Sequence, residues 1–380
     1  MTVPDAPRGT MPHVMQLLFR LAPGGAERLA LTTLDKARGR VRGSVCGLFG
    51  STGPLVPEIE QMGLPWFGLD VIGHSRLRGI WTLAALLRRE KVDVVHAQAA
   101  YLLQWAVPAA WLSGARVVYT EHSRHQLESQ PRVRRLLRMV GPWLSDISCV
   151  TEDMRRFLKN EVGMAVPRIR VIRNGVDVAR YAPAEPGNAV AAWPAGWGTR
   201  SFVFGNVARF CEAKDHPSLL RAFDAVSRVH PYVRLLLVGD GECRPEVEAL
   251  HADLGLGDAV HFAGTRQDIP EHLRAMGVFV LSSRVEGMPV AVLEAMACGV
   301  PVVTTDVGGL GELVRDGETA RVVPPRDPEA LAGAMRWMLE NPREREAMRL
   351  RALDMVRSQC GHDTMLRGYL DLYGVKEARA

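Results

Sequence analysis

The stretch Val278–Glu312, VFVLSSRVEGMPVAVLEAMACGVPVVTTDVGGLGE, decides how the chain folds. An apolar run ends at Ser282, a loop carries Glu286 and Gly287, and a nearly all-apolar helix starts near Pro289. Proline at the first helical position, Gly299 past the last turn and Pro301 beyond are start and stop signals. A second apolar run follows at Pro301–Thr304. Apolar strands of this kind, separated by helices, belong to parallel sheets covered on both faces.

The same alternation runs along the chain. In the first half it predicts strands near His13–Phe19, Ser44–Phe49, Val92–His96, Arg116–Thr120, Asp146–Val150 and Arg168–Ile172. In the second half they fall near Phe202–Val207, Val233–Val238, Ala259–Phe262, Val278–Leu281, Pro301–Thr304 and Arg321–Val323. Six strands per half predict an α/β protein with two tandem Rossmann-like domains facing a central cleft. The expected boundaries are 1–183 for the N-terminal domain and 201–361 for the C-terminal domain. Residues 184–200, rich in Pro, Gly, Ala and Trp, form the expected hinge. A helix over 362–380, after a break at Cys360–Gly361, is expected to pack back on the first domain.

Composition narrows the class. The 380 residues are 47% hydrophobic, 23% charged and 6% aromatic, which excludes disorder, collagen and low-complexity architectures. No apolar run approaches the ~20 residues of a membrane-spanning helix. Met1–Pro12 lacks the apolar core of a signal peptide, so a frayed tail is expected there. Six scattered cysteines, with no CxxC pair and no His/Cys cluster, predict reduced thiols in a cytoplasmic protein. Through Glu185 there are 25 Lys and Arg against 16 Asp and Glu; from Pro186 onward the balance is 22 against 26. The two halves therefore face different partners. No RNP aromatic stripe, zinc finger or lysine-rich tail supports nucleic acid as one of them.

Several residues could carry chemistry. The helix start at Pro289 presents free N–H groups and a positive dipole end to an anion. Glu294, inside VAVLEAMA, needs a strong partner, whether a salt bridge, a backbone cap or a ligand. Arg209 and Lys214 follow an apolar strand and are either a solvated pair or cations aimed at a phosphate. Gly24 and Gly25 suit a turn, or a loop whose amides approach a phosphate or sugar. VGDGECR (238–244) lacks the third glycine of a dinucleotide fingerprint and reads as a structural or nucleotide-flanking turn. His122 and His96 each close an apolar strand; an isolated histidine there is either a satisfied structural residue or a ligand contact.

PGGAERLA (23–30), TEHS (120–123), VIRNGVD (171–177), GNVARFCEAKDHPSLLRAF (205–223), LLLVGDGE (235–242) and Glu286-x7-Glu294 occur in order along nearly the whole chain. In this set the sequence resembles the retaining GT-B glycosyltransferases of family 4. The resemblance implies transfer of a sugar from a nucleotide-diphosphate sugar, a UDP-sugar in preference to a GDP-sugar, to a glycan or lipid-linked acceptor in cell-surface polysaccharide or glycoconjugate synthesis. It implies that Arg209 and Lys214 bind the diphosphate and stabilise its growing charge. Glu286 and the Gly287, Met288, Pro289 and Val290 segment hold the sugar and diphosphate, and Glu294 the ribose. Gly24 and Gly25 cover the donor, Arg266 in GTRQD (264–268) meets the base, and His122 lies near the transferred sugar. His96 and His122 are acceptor-side candidates. Ser123 stands where many relatives carry Gly or Asp. No cofactor is implied, and without an Asp-x-Asp pair no metal; cations and a helix dipole take that place.

Residues 124–143 (RHQLESQPRVRRLLRMVGPW) interleave Arg132, Arg134, Arg135 and Arg138 with apolar residues and end in Trp143. Such a stretch can lie on an anionic bilayer or bury its Leu face on the sheet. This predicts a cytoplasmic protein that can also sit on the inner face of the membrane. A non-catalytic nucleotide-sugar binder and a GT-B-type sugar epimerase are the alternative readings.

Overall fold

The computed structural model describes residues 11–22, 24–71, 75–164, 169–184, 194, 196–198 and 200–375. The chain divides into two units: Met1–Asn174 with Asp363–Ala380, and Gly175–His362.

The first unit is built on β1 (His13–Leu18), β2 (Arg42–Gly47), β3 (Trp66–Gly68), β4 (Val94–Ala97), β5 (Arg116–Glu121), β6 (Asp146–Cys149) and β7 (Ile169–Val171). All pair in parallel, in the order β3-β2-β1-β4-β5-β6-β7. Side chains alternate across a strand. Thus Met15 and Leu17 join the core made with Leu83, Leu103 and Leu137, while Val14 and Leu18 pack with Leu31, Leu366 and Tyr369 on the opposite face. Gln16 interrupts β1 on the Val14 side and is fully buried.

The second unit holds β8 (Phe202–Val207), β9 (Val233–Val238), β10 (Val260–Gly264), β11 (Val278–Leu281), β12 (Val302–Thr305) and β13 (Arg321–Val323). Their order is β10-β9-β8-β11-β12-β13, again all parallel. The connections reverse between β8 and β11. The carboxyl ends of two strands flanking such a switch point leave a crevice, the place where open α/β sheets take ligands.

Four expected strands, at Phe202, Val233, Val278 and Arg321, have the observed limits. β3 was not foreseen: at three residues, preceded by Pro65 and ended by Gly68, it is too short to show a period. The division falls at Asn174–Gly175, ahead of the expected 183–201. Tyr181 packs in the second unit's core, and Arg274 donates to Ala182 O and Arg180 O, each at 2.8 Å. The 184–200 hinge lies mostly outside the described residues, as do residues 1–10. The break at Cys360–Gly361 separates helices Pro342–Gln359 and His362–Leu372, and Val176 pins it: Val176 N–H donates to Cys360 O, and His362 N–H donates to Val176 O.

Candidate active site

At the second unit's switch point, the segment after β8 lies on the glycine turn after β9. Ala208 N–H donates to Val238 O and Phe210 N–H to Asp240 O, both at 3.0 Å. A Cβ on Gly239 (φ +134°) would stand 1.9 Å from Ala208 O, so only glycine fits. The turn thus has a structural role, and it positions Arg209. That guanidinium pairs with Glu242 at 2.9 and 3.2 Å, and both side chains are exposed.

Lys214 is held more firmly. It ends a single turn, Glu212–Lys214, after which Asp215 adopts φ +49° with its carboxylate buried. The left-handed conformation costs a non-glycine residue energy and persists only where surroundings over-determine it. Here they do. Arg284 donates to Asp215 Oδ1 at 3.0 Å and to Glu212 Oε1 at 3.3 Å, and Ser218 Oγ donates to Asp215 Oδ2 at 2.9 Å. Arg284 N–H also donates to Ala213 O at 2.8 Å and Ser282 Oγ to Lys214 O at 2.9 Å. The loops after β8 and β11 are therefore stitched together, and Lys214 Nζ reaches Glu286 Oε1 at 2.5 Å. Ser283 Oγ donates to the same oxygen at 2.6 Å.

The Glu286–Gly287 backbone rests on a third loop. Gly309 N–H donates to Gly287 O at 3.0 Å, and a Cβ on Gly308 (φ +56°) would meet Glu286 O at 1.9 Å. The next helix runs from Val290 to Ala297, one residue later than expected: Pro289 is extended (ψ 114°) and occupies the N-cap position. Pro289 has no side chain able to cap that terminus, and the opening N–H groups of a helix have no partner within it. Met288 beside it is buried. Glu294, one turn further on, accepts a hydrogen bond from Tyr181; burial and this carboxylate hold the phenol's pKa above its usual range. Arg266 forms a two-point pair with Asp268 at 2.8 and 2.9 Å on an exposed loop.

In the first unit β5 ends at Glu121, and His122 follows. Glu121 is buried, accepting from the Tyr119 hydroxyl and, at 2.9 Å, from Ser123 N–H; burial pushes its pKa up to about 7 despite those bonds. His122 Nε2 lies 2.7 Å from Gln98 Oε1, and burial lowers the imidazole pKa to about 4, so the ring is neutral. His96, the other acceptor-side candidate, is held inside the unit. It is wholly enclosed, with Nδ1 2.8 Å from Tyr373 Oη and Nε2 2.7 Å from Thr120 Oγ1. Gly24 is extended (φ −163°) with the Glu27 carboxylate folded against it, and open space surrounds the Cα of Gly25. Neither has a positive φ, the first reason proposed for glycine there. Among the described residues, no group of three or more His, Cys, Asp or Glu could hold a metal ion.

Residues 192–355 match the family model described as glycosyl transferases group 1, and residues 23–180 match glycosyltransferase family 4. The chain is 28% identical over 299 residues to an Escherichia coli UDP-Gal:alpha-D-GlcNAc-diphosphoundecaprenol alpha-1,3-galactosyltransferase, covering 75% of this chain and 77% of that one. It is 30% identical over 274 residues to a Mycolicibacterium smegmatis GDP-mannose-dependent phosphatidylinositol monomannoside mannosyltransferase (69% and 71% covered). Among solved structures, Anabaena Alr3699/HepE with UDP and glucose superposes with a TM-score of 0.85 at 21% identity, over 96% of this chain and 99% of that one. Two parallel α/β units in tandem, matched by both models, define a GT-B glycosyltransferase. The chain belongs to the group 1, family 4 glycosyltransferases.

Reading the sequence missed Asp215, Arg284, Ser283, Gly308 and Tyr181 in the second unit, and Glu121, Gln98, Gln16 and Tyr373 in the first. Gln16 alone carried a visible signal, a long polar side chain inside HVMQLLF. The others are distant partners of residues already singled out.

Proposed function

We propose that this glycosyltransferase is retaining and metal-independent, and that its second unit binds the nucleotide-diphosphate sugar. One observation carries the reading: a largely buried Lys214–Glu286 pair beside a helix start at which Pro289 supplies no side-chain cap, at the switch point of β8 and β11. Lys214 then stabilises the departing diphosphate together with the Val290 helix terminus, and Arg209 leaves Glu242 to join it, since an exposed pair costs at most about 1 kcal/mol to break. Glu286, with the amides of Gly287, Met288 and Val290 and the Pro289 turn, holds sugar and diphosphate. Glu294 accepts from ribose hydroxyls. Arg266 flanks the base, and within the first unit Gly24, Gly25 and His122 are the candidate sugar contacts. The donor's C1–O bond breaks as the acceptor oxygen bonds to C1 on the same face, and the acceptor proton passes to the leaving phosphate.

UDP is the favoured nucleotide: the E. coli relative is named for UDP-Gal and the Anabaena structure contains UDP, although the mycobacterial relative uses GDP-mannose. The acceptor is a glycan or a lipid-linked glycan. The first unit is suited to reaching it on the inner face of the cytoplasmic membrane. Helix Pro131–Val140 buries Val133, Leu137 and Val140 in the first unit's core and leaves Arg132, Arg135, Arg138 and Met139 outward, with Trp143 beyond. Trp111, 76% exposed, belongs to helix Leu103–Ser113 packed against it. Among the described residues no helix is long and apolar enough to cross a membrane.

A thermal-shift panel of UDP, GDP, ADP and their sugar conjugates tests the donor. At 100 Kd the right ligand stabilises by about 2.7 kcal/mol; no shift with any of them rejects the site. Proton NMR of the product decides retention, and undiminished turnover in EDTA decides metal independence. Co-sedimentation with anionic against neutral vesicles tests the membrane contact, which equal binding to both at low salt would remove.

A further inference from the structure

The first unit encloses a run of side-chain hydrogen bonds that starts at His122, just beyond β5, and ends at Ser148 in β6. Gln98 Oε1 lies 2.7 Å from His122 Nε2, and Gln98 Nε2 lies 2.7 Å from Gln16 Oε1. Gln16 Nε2 lies 3.0 Å from Tyr373 Oη, which is 2.8 Å from His96 Nδ1. His96 Nε2 lies 2.7 Å from Thr120 Oγ1, itself 2.6 Å from Ser148 Oγ. Apart from half-buried His122, every member is at least nine-tenths buried, so an unmatched pair of donors or acceptors would carry the full cost of an unmade bond.

Donor and acceptor roles then propagate. An amide oxygen only accepts and an amide nitrogen only donates. Gln98 therefore requires a proton on His122 Nε2, and its own NH2 donates to Gln16. Gln16 in turn donates to the Tyr373 oxygen, which leaves that hydroxyl's proton for His96 Nδ1. His96 must then carry its proton on Nε2 and donate to Thr120, whose own proton goes to Ser148 or Tyr369. Turning one amide over would set like against like at both its ends, so the chain can reverse only as a whole.

We propose that this chain locks His122 and His96 together in their Nε2–H tautomers, leaving His122 Nδ1 as an obligate hydrogen-bond acceptor for a hydroxyl of the transferred sugar. Gln98, Gln16 and Tyr373 are positioning residues: they act on the sugar only through His122. The tautomer statement stands on the first unit alone, whereas the sugar contact rests on the proposed role of His122.

The test separates these two parts. The full chain labelled with 15N-histidine is examined by long-range 1H–15N correlation at neutral pH, with His122→Gln and His96→Asn assigning the two rings. The expected result is a protonated Nε2 and an unprotonated Nδ1 on both. Protonation on Nδ1 of both rings overturns the stated direction, and unlike tautomers overturn the coupling. Neither outcome depends on the donor site. Tyr373→Phe, checked by melting, removes the linking hydroxyl: His122 becomes a mixture of tautomers, and UDP-sugar binding weakens by about 3–10-fold while UDP binding is unchanged. A mixed tautomer without loss of UDP-sugar affinity overturns the sugar contact and leaves the lock intact. If this variant does not fold, the wild-type spectrum still decides the lock.

Discussion

At the carboxyl end of the first sheet, His122, Gln98, Gln16, His96 and Tyr373 are all neutral and are satisfied by one another. At the corresponding end of the second sheet, Lys214, Glu286, Arg284 and Asp215 are formally charged and joined as ion pairs. Desolvation accounts for the contrast. A neutral hydrogen-bonded chain can sit at full depth at modest cost, whereas a charge can go under only with a partner and more easily near solvent. Lys214 accordingly keeps 23% of its side-chain surface. The second arrangement offers what a leaving anion needs, a cation already in place; the first offers a hydrogen-bond acceptor of fixed polarity.

Breaking the ionic side should show the largest effects. Arg284→Ala strands the Asp215 carboxylate and should destabilise by about 3 kcal/mol, measured by urea unfolding. Arg284→Ala combined with Asp215→Asn should recover part of that loss. If the single variant costs under about 1 kcal/mol, the stitching of the two loops is not what holds Lys214. Lys214→Ala should lower kcat by about 10² or more. The melting temperature should fall less than for Arg284→Ala: Glu286 loses its cation but keeps the Ser283 hydroxyl, and Asp215 and Arg284 still hold the loop. Near-normal turnover would remove Lys214 from the chemistry.

His216 sharpens the comparison through pH. Its ring stacks on Phe210 at 4.1 Å, and neither nitrogen has a hydrogen-bond partner among the described residues. Burial, with the Lys214 charge adding to it, lowers its pKa from 6.5 to about 4. The folded state therefore binds fewer protons than the unfolded chain between those values, so this residue's contribution to stability is lost as pH falls from 6.5 towards 4. His216→Met should flatten the fall in stability between about pH 7 and 5 by roughly 1–2 kcal/mol. An unchanged slope would show that the imidazole does not titrate this way. The smallest effect belongs to the neutral side: Ser148→Ala removes the buried Thr120–Ser148 hydrogen bond and should cost about 1 kcal/mol. A loss matching that of Arg284→Ala would erase the distinction between the two regions.

Much of this was legible beforehand, and the rest was not for identifiable reasons. Strands such as Val233–Val238 announce themselves because a buried parallel strand must be apolar on both faces. Lys214 and Glu286 were visible as residues, and the alternation placed each just beyond a strand. Their contact was not visible, because 72 positions separate them and only the β8–β11 adjacency closes that gap. His96 shows the reverse case. A histidine closing an apolar strand reads equally well as ligand or core, and its hydrogen bond with Tyr373, 277 positions away, could not be read from the sequence.

The amino-acid order by itself determined the α/β class, two parallel sheets in tandem and the places where chemistry could sit, because periodicity and helix signals are local properties of the chain. Only the tertiary structure decided which of those places meet, which histidine is enclosed and which carboxylate finds a cation. Those outcomes depend on strand order and on distances of a few ångströms between residues far apart in sequence, and no local pattern encodes either.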